Sequence, residues 1–485
     1  MIDTKALRSR ILDLAIQGKL TEQLPSDGTA EELYQQIQAE KQKRIKEGKL
    51  KKEKPLPPVS PEEVPFEIPD NWMCVRMSEI SLKITDGTHH SPINTESGDY
   101  MYVTAKNIKD KGVDLSNITY VTKEVHDEIY ARCNPELNDV LLIKDGATTG
   151  VVTVNNIDEP FSLLSSVALI KPVHRLIEPW YIAYVLRSSL FYKTIRAQMT
   201  GTGITRIVLR QIEPFIVPLP PLAEQKRIVE RVEEIFRLLD TIDEAQEKYS
   251  ADSQILKAKL ITAGIQGKLT QQLDTDGTAE ELYQQIQAEK QKLIKEGKLK
   301  KEKPLPPVSP EEVPFEIPEN WMWVHLGEIF QHNTGKALNS ANTDEQLLEY
   351  ITTSNVYWDR FELDSLKQMH FTESEIEKCT VTKGDLLICE GGDIGRSAIW
   401  NFDFEMRIQN HLHRLRGYIP DICQKYYYYL MWLYKDKGMI DGRGIGLQGF
   451  SSKRVHELVV PLPPLAEQKR IADVLEEALG ALDKV

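Results

Sequence analysis

The sequence predicts an α+β protein. Two globular, mixed α/β domains are expected to be separated by two long antiparallel coiled-coil helices in a pseudo-two-fold circular arrangement. Three features of the 485 residues predict this: a helical stretch near the middle, an internal repeat on either side of it, and two dissimilar segments with short apolar strands and glycine loops.

The helical stretch begins after Pro218, Pro220 and Pro221, and no further helix breaker occurs until Gly264. Apolar residues recur at alternating steps of three and four, as in a coiled-coil seam, at Ile228, Val232, Ile235, Leu239, Ile242, Tyr249, Leu256 and Leu260. At about 1.5 Å per residue the helix would be about 60 Å long and would serve as a spacer. The alternative is an ordinary long core helix.

A partner for this helix is encoded in the same chain. Residues 460–482 begin with the same PLPPLAEQKRI sequence and carry a stripe of their own at Ile471, Leu475, Leu479 and Leu482. Residues 7–16 match the register of residues 256–265, so the C-terminal helix followed by the N-terminal helix nearly rebuilds the central one. The two termini are therefore expected to meet beside a second rod.

The internal repeat defines the domain organisation. Residues 17–80 recur as residues 266–329 with nine differences in 64 positions, whereas residues 81–215 and 330–458 differ almost everywhere. Within the repeat, Thr29 to Glu32 predict a capped helix start, and residues 49–58 predict a basic, proline-rich connector, for which simple solvation is favoured over a DNA role. The predicted segments are an N-terminal helix that completes the distal coiled coil (1–17), a conserved connector (18–69), a variable domain (70–217), the central helix (218–266), a second connector (267–318), a second variable domain (319–460) and a C-terminal helix (461–485).

Composition restricts the function classes. With 41% hydrophobic and 27% charged residues, no membrane-length apolar run and no signal-peptide core, the chain is expected to be cytoplasmic. The cysteines are odd in number and lack a CxxC pair, which is typical of reduced thiols rather than of disulfides or a zinc site. The net charge of −13 argues against a simple nucleic-acid coating protein.

Catalytic motifs are missing from the sequence. The Gly-Lys pairs at Gly18, Gly267 and Gly335 lack the upstream glycine of a phosphate loop, and no GxGxxG follows a strand. His89-His90 and His411-x-His413 could ligate a metal, but no further ligands complete either set, and a strand face is favoured for the second pair. We therefore expect no catalytic residue, no metal and no cofactor on this chain.

The two variable segments share a local plan. Strands at 139–144 and 385–389 are each followed by a glycine loop, and aromatic-rich helices at 180–195 and 425–435 indicate packing rather than base stacking. Basic residues without neighbouring acids lie between residues 179 and 212 and between residues 406 and 419; they are Arg187, Lys193, Arg196, Arg206, Arg210, Arg407, Arg414 and Arg416.

Duplication has a physical consequence. Two nearly identical surfaces can bind two copies of one partner, whereas two dissimilar domains can recognise two different targets. A split duplex DNA target fits, because half-sites on one side of a duplex lie about 34 Å apart, or multiples of that distance. Arg, Asn and Gln can pair with base edges, while Lys, Ser and Thr hold phosphates.

The PLPPLAEQKRI helices, the FEIPDNW and FEIPENW sequences that lead into the variable domains, and the alternating plan resemble the DNA-specificity subunit of type I restriction-modification systems. The resemblance implies that residues 70–217 and 319–460 are target-recognition domains, each reading one half of a bipartite site. It implies that the conserved helices set the spacer and dock two methyltransferase subunits, with motor-nuclease subunits joining for restriction. It also implies a non-catalytic subunit whose partners carry S-adenosylmethionine, ATP and Mg.

The resemblance places the family's glycine loop at Asp145–Gly150 and Gly391–Arg396, and its last turn at Gly201–Arg206 and Gly442–Ser451. The first copy departs from the pattern, with Asn138 where the second has Gly384. The residues expected to contact DNA are Lys106, Asn107, Lys144, Thr148, Thr149, Thr202, Thr205, Arg206, Ser354, Asn355, Gly392, Arg396, Gln409, Asn410, Arg443, Gln448, Ser451 and Lys453. Those expected to dock the partner are Leu222, Glu224, Gln225, Arg227, Leu465, Glu467, Gln468 and Arg470.

Two other functions compete with this interpretation. The first is a coiled-coil scaffold or adaptor whose variable domains bind proteins, and the second is a nuclease or methyltransferase with an unrecognised site. Divergence confined to the glycine-loop domains favours target reading over scaffolding, and the missing cofactor motif counts against an enzyme.

Overall fold

A computed structural model describes residues 1–52, 54–198, 206–338, 346–440 and 450–483, with only the backbone described for 195–198. The chain forms two compact units, Met1–Glu247 (unit 1) and Lys248–Val485 (unit 2). Each unit combines antiparallel and mixed sheets with helices, so the predicted α+β class is confirmed. Among the described residues, no helix has both the length and the apolar character needed to span a membrane.

Unit 1 intersperses helices with short strands along the chain. The helices are α1 (Thr4–Ile16), α2 (Ala30–Lys46), α3 (Met77–Ile80), α4 (Lys123–Arg132), α5 (Pro179–Arg187), α6 (Ser189–Gln198), α7 (Leu209–Ile212) and α8 (Leu222–Ile265), which continues into unit 2. The strands are β1 (Met73–Arg76), β2 (Ser81–Asp86), β3 (Tyr100–Val103), β4 (Ile108–Lys109), β5 (Gly112–Val113), β6 (Thr119–Val121), β7 (Val140–Ile143), β8 (Val152–Val154), β9 (Ser162–Leu163), β10 (Val167–Pro172) and β11 (Ile216–Leu219).

The central sheet of unit 1 has the antiparallel strand order β2-β10-β7-β8. Its inner strands are buried on both faces. Val140 and Leu142 join the core that contains α1 and α5, whereas Leu141 and Ile143 join the core under β3 and β9. This explains why residues 140–143 form a continuous apolar run. A second sheet, β6-β3-β9, and the pairs β1-β11 and β4-β5 complete the unit.

Unit 2 has its helices and strands in a similar order. The helices are α9 (Ala279–Lys295), α10 (Leu326–Ile329), α11 (Glu373–Cys379), α12 (Gln424–Asp436), α13 (Ser452–His456) and α14 (Leu465–Leu482). The strands are β12 (Met322–His325), β13 (Phe330–Thr334), β14 (Gln346–Ile351), β15 (Val356–Tyr357), β16 (Arg360–Phe361), β17 (Lys367–Phe371), β18 (Thr380–Val381), β19 (Leu386–Cys389), β20 (Ser397–Ile399), β21 (Met406–Ile408), β22 (Leu412–Gly417) and β23 (Val459–Leu462).

The sheets of unit 2 repeat the topology of unit 1. The central order β13-β22-β19-β20 matches β2-β10-β7-β8, and β17-β14-β21 matches β6-β3-β9, with β18 added at the edge. The pairs β12-β23 and β15-β16 match β1-β11 and β4-β5. The two variable segments therefore share one fold although their sequences differ almost everywhere.

Helix α8 is a single helix of 44 residues, as predicted, and it supplies core residues to both units. In unit 1, Ile228 and Val232 join the core that contains α1. In unit 2, Ile261 and Ile265 join the core that contains α14.

The predicted seam along α8, which the sequence interrupts with the polar residues Gln246 and Ser253, is partly exposed in its middle. Tyr249 and Leu256 are 37% and 44% exposed. In unit 1 the backbone of Ile2 nevertheless pairs with the Gln246 side chain, and in unit 2 the Tyr249 hydroxyl donates to Leu482 O at 3.1 Å.

The repeated block folds alike in both units. Helix α2 starts with a capping box in which Thr29 accepts from the Glu32 amide at 3.2 Å, and α9 starts with Thr278 and Glu281 at the same distance. The predicted capped start is therefore correct in both copies.

Candidate nucleic-acid interface

Five chain segments of unit 1 meet at the edge of the central sheet where β2 and β7 end. We call this the loop edge of unit 1; it comprises residues 87–90, 104–107, 144–150, 164–166 and 206–207. Backbone hydrogen bonds join the segments into one frame. The bonds run from Thr88 N to Leu163 O (2.9 Å), Ser165 N to Thr88 O (2.8 Å), Leu164 N to Val103 O (3.0 Å), Lys144 N to Ser166 O (2.9 Å) and Ile207 N to Lys144 O (2.8 Å).

The loop edge of unit 2, residues 335–336, 352–355, 390–396, 409–411 and 450–451, has the same frame. The bonds run from Lys336 N to Ile408 O (3.0 Å), Asn410 N to Lys336 O (2.9 Å), Gln409 N to Ile351 O (3.0 Å), Glu390 N to His411 O (2.9 Å) and Phe450 N to Glu390 O (3.2 Å). Each bond has its counterpart in unit 1, so the two edges present equivalent backbone positions.

One glycine in each unit permits this frame. A Cβ on Gly87 would lie 1.8 Å from Leu163 O, and one on Gly335 would lie 2.0 Å from Ile408 O. Any side chain would therefore displace the neighbouring strand. The frame requires glycine at this point in both copies.

The side chains on the common frame differ between the units. Matching positions in units 1 and 2 carry Thr88 and Lys336, Leu164 and Gln409, Ser165 and Asn410, Ser166 and His411, and Lys144 and Glu390. Three hydroxyl groups, one apolar group and one ammonium group in unit 1 thus correspond to an ammonium, two amides, an imidazole and a carboxylate in unit 2. Most of these positions were not predicted from the sequence, because the frame depends on backbone pairing between distant segments. The one sequence feature that could have indicated the frame is the glycine that follows β2 and β13.

The glycine loops, Asp145–Gly150 and Gly391–Arg396, form part of these edges. In unit 1, Thr149 Oγ1 donates to Gly146 O at 2.7 Å, and Thr148 is exposed. In unit 2, Gly392 has φ +71° and open space around it. The departure at Asn138 leaves the backbone unchanged, since Asn138 has φ 70° and its counterpart Gly384 has φ 92°. Asparagine tolerates this left-handed conformation better than most residues.

Arg206 and the loop of unit 1 are brought together. The guanidinium Nε lies 2.9 Å from Asp145 Oδ1, and the side chain is 53% exposed. Lys144 behaves differently, because its side chain is 2% exposed and its ammonium lies 2.9 Å from Asp145 and 3.4 Å from Asp86. The prediction that Lys144 contacts DNA is therefore corrected: it holds two acidic residues inside the protein.

Two predicted amides are also structural. Asn107 and Asn355 are 1% and 9% exposed and occupy matching turns. Each accepts from the backbone amide three residues earlier and donates to a carbonyl seven residues later, at Asp114 O (3.1 Å) and Glu362 O (2.9 Å). Both are removed from the candidate DNA contacts, whereas their exposed neighbours Lys106 and Ser354 remain on the loop edges.

The remaining candidates of unit 2 fall into two groups. Arg396 is tied to the protein, since it donates to Thr353 O at 2.7 Å and its guanidinium lies 5.0 Å from the Tyr357 ring centre. Gln409 and Asn410 are half-buried, and their side-chain amides find no hydrogen-bond partner within the described part of the chain. These two amides are therefore the uncommitted polar groups on a fixed backbone.

The last recognition turns are only partly described. Ser451 is exposed and caps α13 through the Arg454 amide at 3.5 Å, and the exposed Lys453 lies 3.8 Å from Glu457. The predicted contacts Thr202, Thr205, Arg443 and Gln448 lie outside the described residues.

Two of the basic residues noted in the sequence are not free cations. Arg414 is 2% exposed, and burial lowers its pKa to about 10. Arg416 pairs with Asp385 at 2.6 Å. These two arginines, which lie between residues 406 and 419, therefore stabilise the interior of unit 2 more than they add positive charge to its surface.

A histidine pair lies behind the loop edge of unit 2. His413 Nε2 lies 2.6 Å from Phe450 O, and its Nδ1 lies 2.9 Å from His332 Nε2. Because the carbonyl only accepts, His413 donates through Nε2 and accepts from His332 through Nδ1. Burial lowers the pKa of His332 to about 3 and also lowers that of His413. Among the described residues, no cluster of three or more His, Cys, Asp or Glu side chains could hold a metal.

The predicted partner contacts in the PLPPLAEQKRI sequences need a larger correction. Glu224, Gln225, Glu467 and Gln468 are all 0% exposed. Glu224 accepts from the Trp72 indole at 2.8 Å, the Gln23 amide at 2.9 Å and the Thr21 hydroxyl at 3.2 Å.

Unit 2 repeats this arrangement. Glu467 accepts from Trp321 at 2.8 Å and from Gln272 at 2.6 Å. Gln225 and Gln468 donate to the carbonyls of Pro220 and Pro463, both at 2.9 Å. These four side chains are fixed within their own units, the two glutamates against the repeated block, so they are unavailable to a partner.

The flanking partner candidates are more accessible. Arg227 and Arg470 are 30% and 32% exposed, and each pairs at 2.6 Å with an aspartate of the repeated block, Asp27 or Asp276. Hydrogen bonding to these guanidinium groups lowers the pKa of both aspartates. Leu222 and Leu465 are half-buried. For these four residues partner binding stays a prediction.

The chain is thus a duplicated α+β protein whose two loop edges share one backbone frame but carry different side chains. The chain belongs to the family described as the type I restriction modification DNA specificity domain, whose sequence profile matches residues 69–248 and 318–483. The family inferred from the sequence is thereby confirmed.

Curated relatives match nearly the whole chain. It is 28% identical to the type I restriction enzyme EcoAI specificity subunit of Escherichia coli and 26% identical to the EcoEI specificity subunit of the same species. Each alignment covers 99% of this chain and 90% of the relative.

Two solved structures share the fold. One, described under complex assembly and conformational transition of the type I R-M system, has a TM-score of 0.63 at 17% identity. The other, the HsdS subunit from Thermoanaerobacter tengcongensis, has a TM-score of 0.53 at 18% identity. Each match covers 87% of this chain and 93% of that structure.

Proposed function

We propose that this chain is the non-catalytic DNA sequence-recognition subunit of a type I restriction-modification complex. Each unit reads one half of a bipartite, asymmetric duplex site through its loop edge. The chain docks two methyltransferase subunits, and motor-nuclease subunits join for restriction. S-adenosylmethionine, ATP and Mg belong to those partners.

The observation that carries the proposal is the common frame with different side chains. Five equivalent backbone hydrogen bonds fix each edge, so the groups that differ are held at matching places. Base edges are distinguished by the donor and acceptor pattern that a rigid scaffold presents to them. The two loop edges share one backbone geometry but present different side chains, which suits the recognition of two different half-sites on duplex DNA.

The best base-contact candidates in unit 2 are Gln409 and Asn410. Their backbone amides are fixed at 3.0 Å and 2.9 Å, while their side-chain amides remain unpaired within the described residues. An amide so placed can donate and accept at an adenine edge. The matching positions of unit 1, Leu164 and Ser165, offer an apolar group and a hydroxyl instead.

Phosphate contacts and spacing follow from the same arrangement. The exposed Lys106 and Ser354 flank the two edges, where they suit phosphate oxygens. Helix α8 carries core residues of both units in one uninterrupted helix, which supports a role in setting the unread gap between the half-sites.

The test is to express the chain with its methyltransferase subunit and to map modified bases by modification-sensitive long-read sequencing. We expect one bipartite motif. Asn410→Ser, which inserts the residue found in unit 1, should change the base preference in one half only, and Ser165→Asn should change the other half. A contiguous motif, no motif, or a change in both halves from one substitution would contradict the proposal.

A further inference from the structure

Two short lysine-rich segments take no part in either loop edge. We call residues 49–54 and 298–303 the lysine connectors; both read KLKKEK. Lys51, Lys52 and Lys54 in unit 1, and Lys300, Lys301 and Lys303 in unit 2, are exposed and make no ion pair with the described residues. In a chain of net charge −13, these are local concentrations of unpaired positive charge.

The lysine connectors are anchored at both ends. In unit 1 the amide of Lys49 donates to Arg44 O at 2.9 Å, and the Arg76 guanidinium donates to Pro57 O at 3.3 Å. In unit 2 the amide of Lys298 donates to Leu293 O at 3.0 Å, and His325 Nε2 lies 3.0 Å from Pro306 O.

Their anchors lie at the end of each unit away from the loop edge. The preceding helix packs near the start of the first strand of the central sheet. Lys41 Nζ donates to Ser81 O of β2 at 2.8 Å, and Lys290 Nζ donates to Gly327 O of α10, just before β13, at 3.0 Å. The loop edge begins after the other end of that strand, at Gly87. A six-residue strand spans about 17 Å at about 3.3 Å per step. The lysine connector and the loop edge of a unit are therefore separate surfaces.

The connectors are identical in sequence, whereas the loop edges are not. Identical surfaces suit a ligand that is present twice, and lysine ammonium groups are point charges that attract anionic groups without a directional pattern. The buried PLPPLAEQKRI side chains leave the docking of a duplicated partner without four of its predicted contacts.

We propose that the lysine connectors are docking surfaces for an acidic patch on each of two copies of the methyltransferase subunit. This inference rests on the proposed function and deepens it. It moves partner docking from the buried glutamate and glutamine side chains of the PLPPLAEQKRI sequences to exposed lysines of the repeated block.

The experiment uses the full chain co-expressed with the methyltransferase subunit of its system. Two triple variants, K51E/K52E/K54E and K300E/K301E/K303E, are compared with the charge-conserving K51R/K52R/K54R and K300R/K301R/K303R. Stoichiometry is measured by native mass spectrometry, and DNA affinity is measured against salt concentration. Circular dichroism and thermal unfolding check that each variant folds.

Wild type should carry two methyltransferase copies, and each charge-reversal triple should lose one. The affinity for that copy should fall by about tenfold or more near 0.1 M salt and by less at 1 M, where screening is strong. The arginine triples should retain both copies. Two copies retained by both reversal variants would overturn the inference; if DNA affinity fell with a shallower salt dependence instead, the connectors would be phosphate contacts. If the wild-type chain bound no methyltransferase subunit, the proposed function would be refuted in its claim of methyltransferase partners.

Discussion

The buried carboxylate of Glu224 gives the sharpest prediction about what holds each unit together. Trp72→Phe removes the 2.8 Å indole bond and leaves this carboxylate, 0% exposed, with the bonds from Gln23 and Thr21. A hydrogen bond to a charged group contributes about 1.5–3 kcal/mol. The void left by the lost part of the indole adds about 0.5–1 kcal/mol. We therefore expect the local opening free energy to fall by about 2–4 kcal/mol.

The second copy supplies the matched experiment. Trp321→Phe removes an indole bond to Glu467 of the same 2.8 Å length and should cost about as much, about 2–4 kcal/mol. Trp180→Phe is the control, because the Trp180 indole N–H has no hydrogen bond with any residue that the structure describes.

Hydrogen exchange followed by mass spectrometry is the appropriate assay, since a chain with two compact units need not unfold in one step. Peptides covering residues 18–29 and 222–232 should lose protection in Trp72→Phe, and the matching peptides of unit 2 should stay unchanged. A loss under about 0.5 kcal/mol in both copies, or one equal to that of the control, would refute the assignment of the carboxylate as the link between block and helix.

Three further predictions concern pH, spacing and the repeated block. Because burial lowers the pKa of His332 to about 3, the unfolded chain binds a proton below about pH 6.5 that folded unit 2 excludes. The stability of unit 2 should therefore fall by up to about 1.4 kcal/mol per pH unit between pH 6 and 4. His332→Ile, which copies Ile84 of unit 1, should flatten that dependence in urea unfolding; a flat wild-type profile would contradict the prediction. Inserting one heptad after Asp243 should lengthen the unread gap and leave both half-sites intact in methylation mapping, whereas an altered half-site would exclude a spacer role. His325→Arg, which copies Arg76, should leave the melting temperature of unit 2 within about 2 °C of wild type, because a guanidinium already bridges the equivalent carbonyls; a larger loss would show that the two junctions differ.

Local pattern was sufficient for much of the fold. The absence of a breaker between Leu222 and Gly264 predicted α8, and the capped start at Thr29 was visible within four residues. The apolar runs at 140–143 and 386–389 predicted the inner strands, since a strand buried on both faces has no polar alternation.

Contacts between residues that lie far apart in the chain could not be predicted from the sequence. Glu224 and Trp72 are 152 residues apart, so a repeated Glu-Gln pair was interpreted as a partner surface when it is an internal one. Asn107 illustrates a related error: an amide next to a predicted loop can be a base contact or a turn lock, and only its burial distinguishes them. The loop-edge frame depends on backbone amides, which residue identity does not report.

Two equivalent frames that read two separate half-sites are the centre of this interpretation. The most direct test replaces residues 70–217 with the matching segment of a relative that has a known site, and maps the modified bases made by the hybrid. We expect one half of the motif to become that of the relative, while the other half and the gap stay as in wild type. A hybrid that modifies DNA with both halves changed, or with neither changed, would contradict the two-frame interpretation.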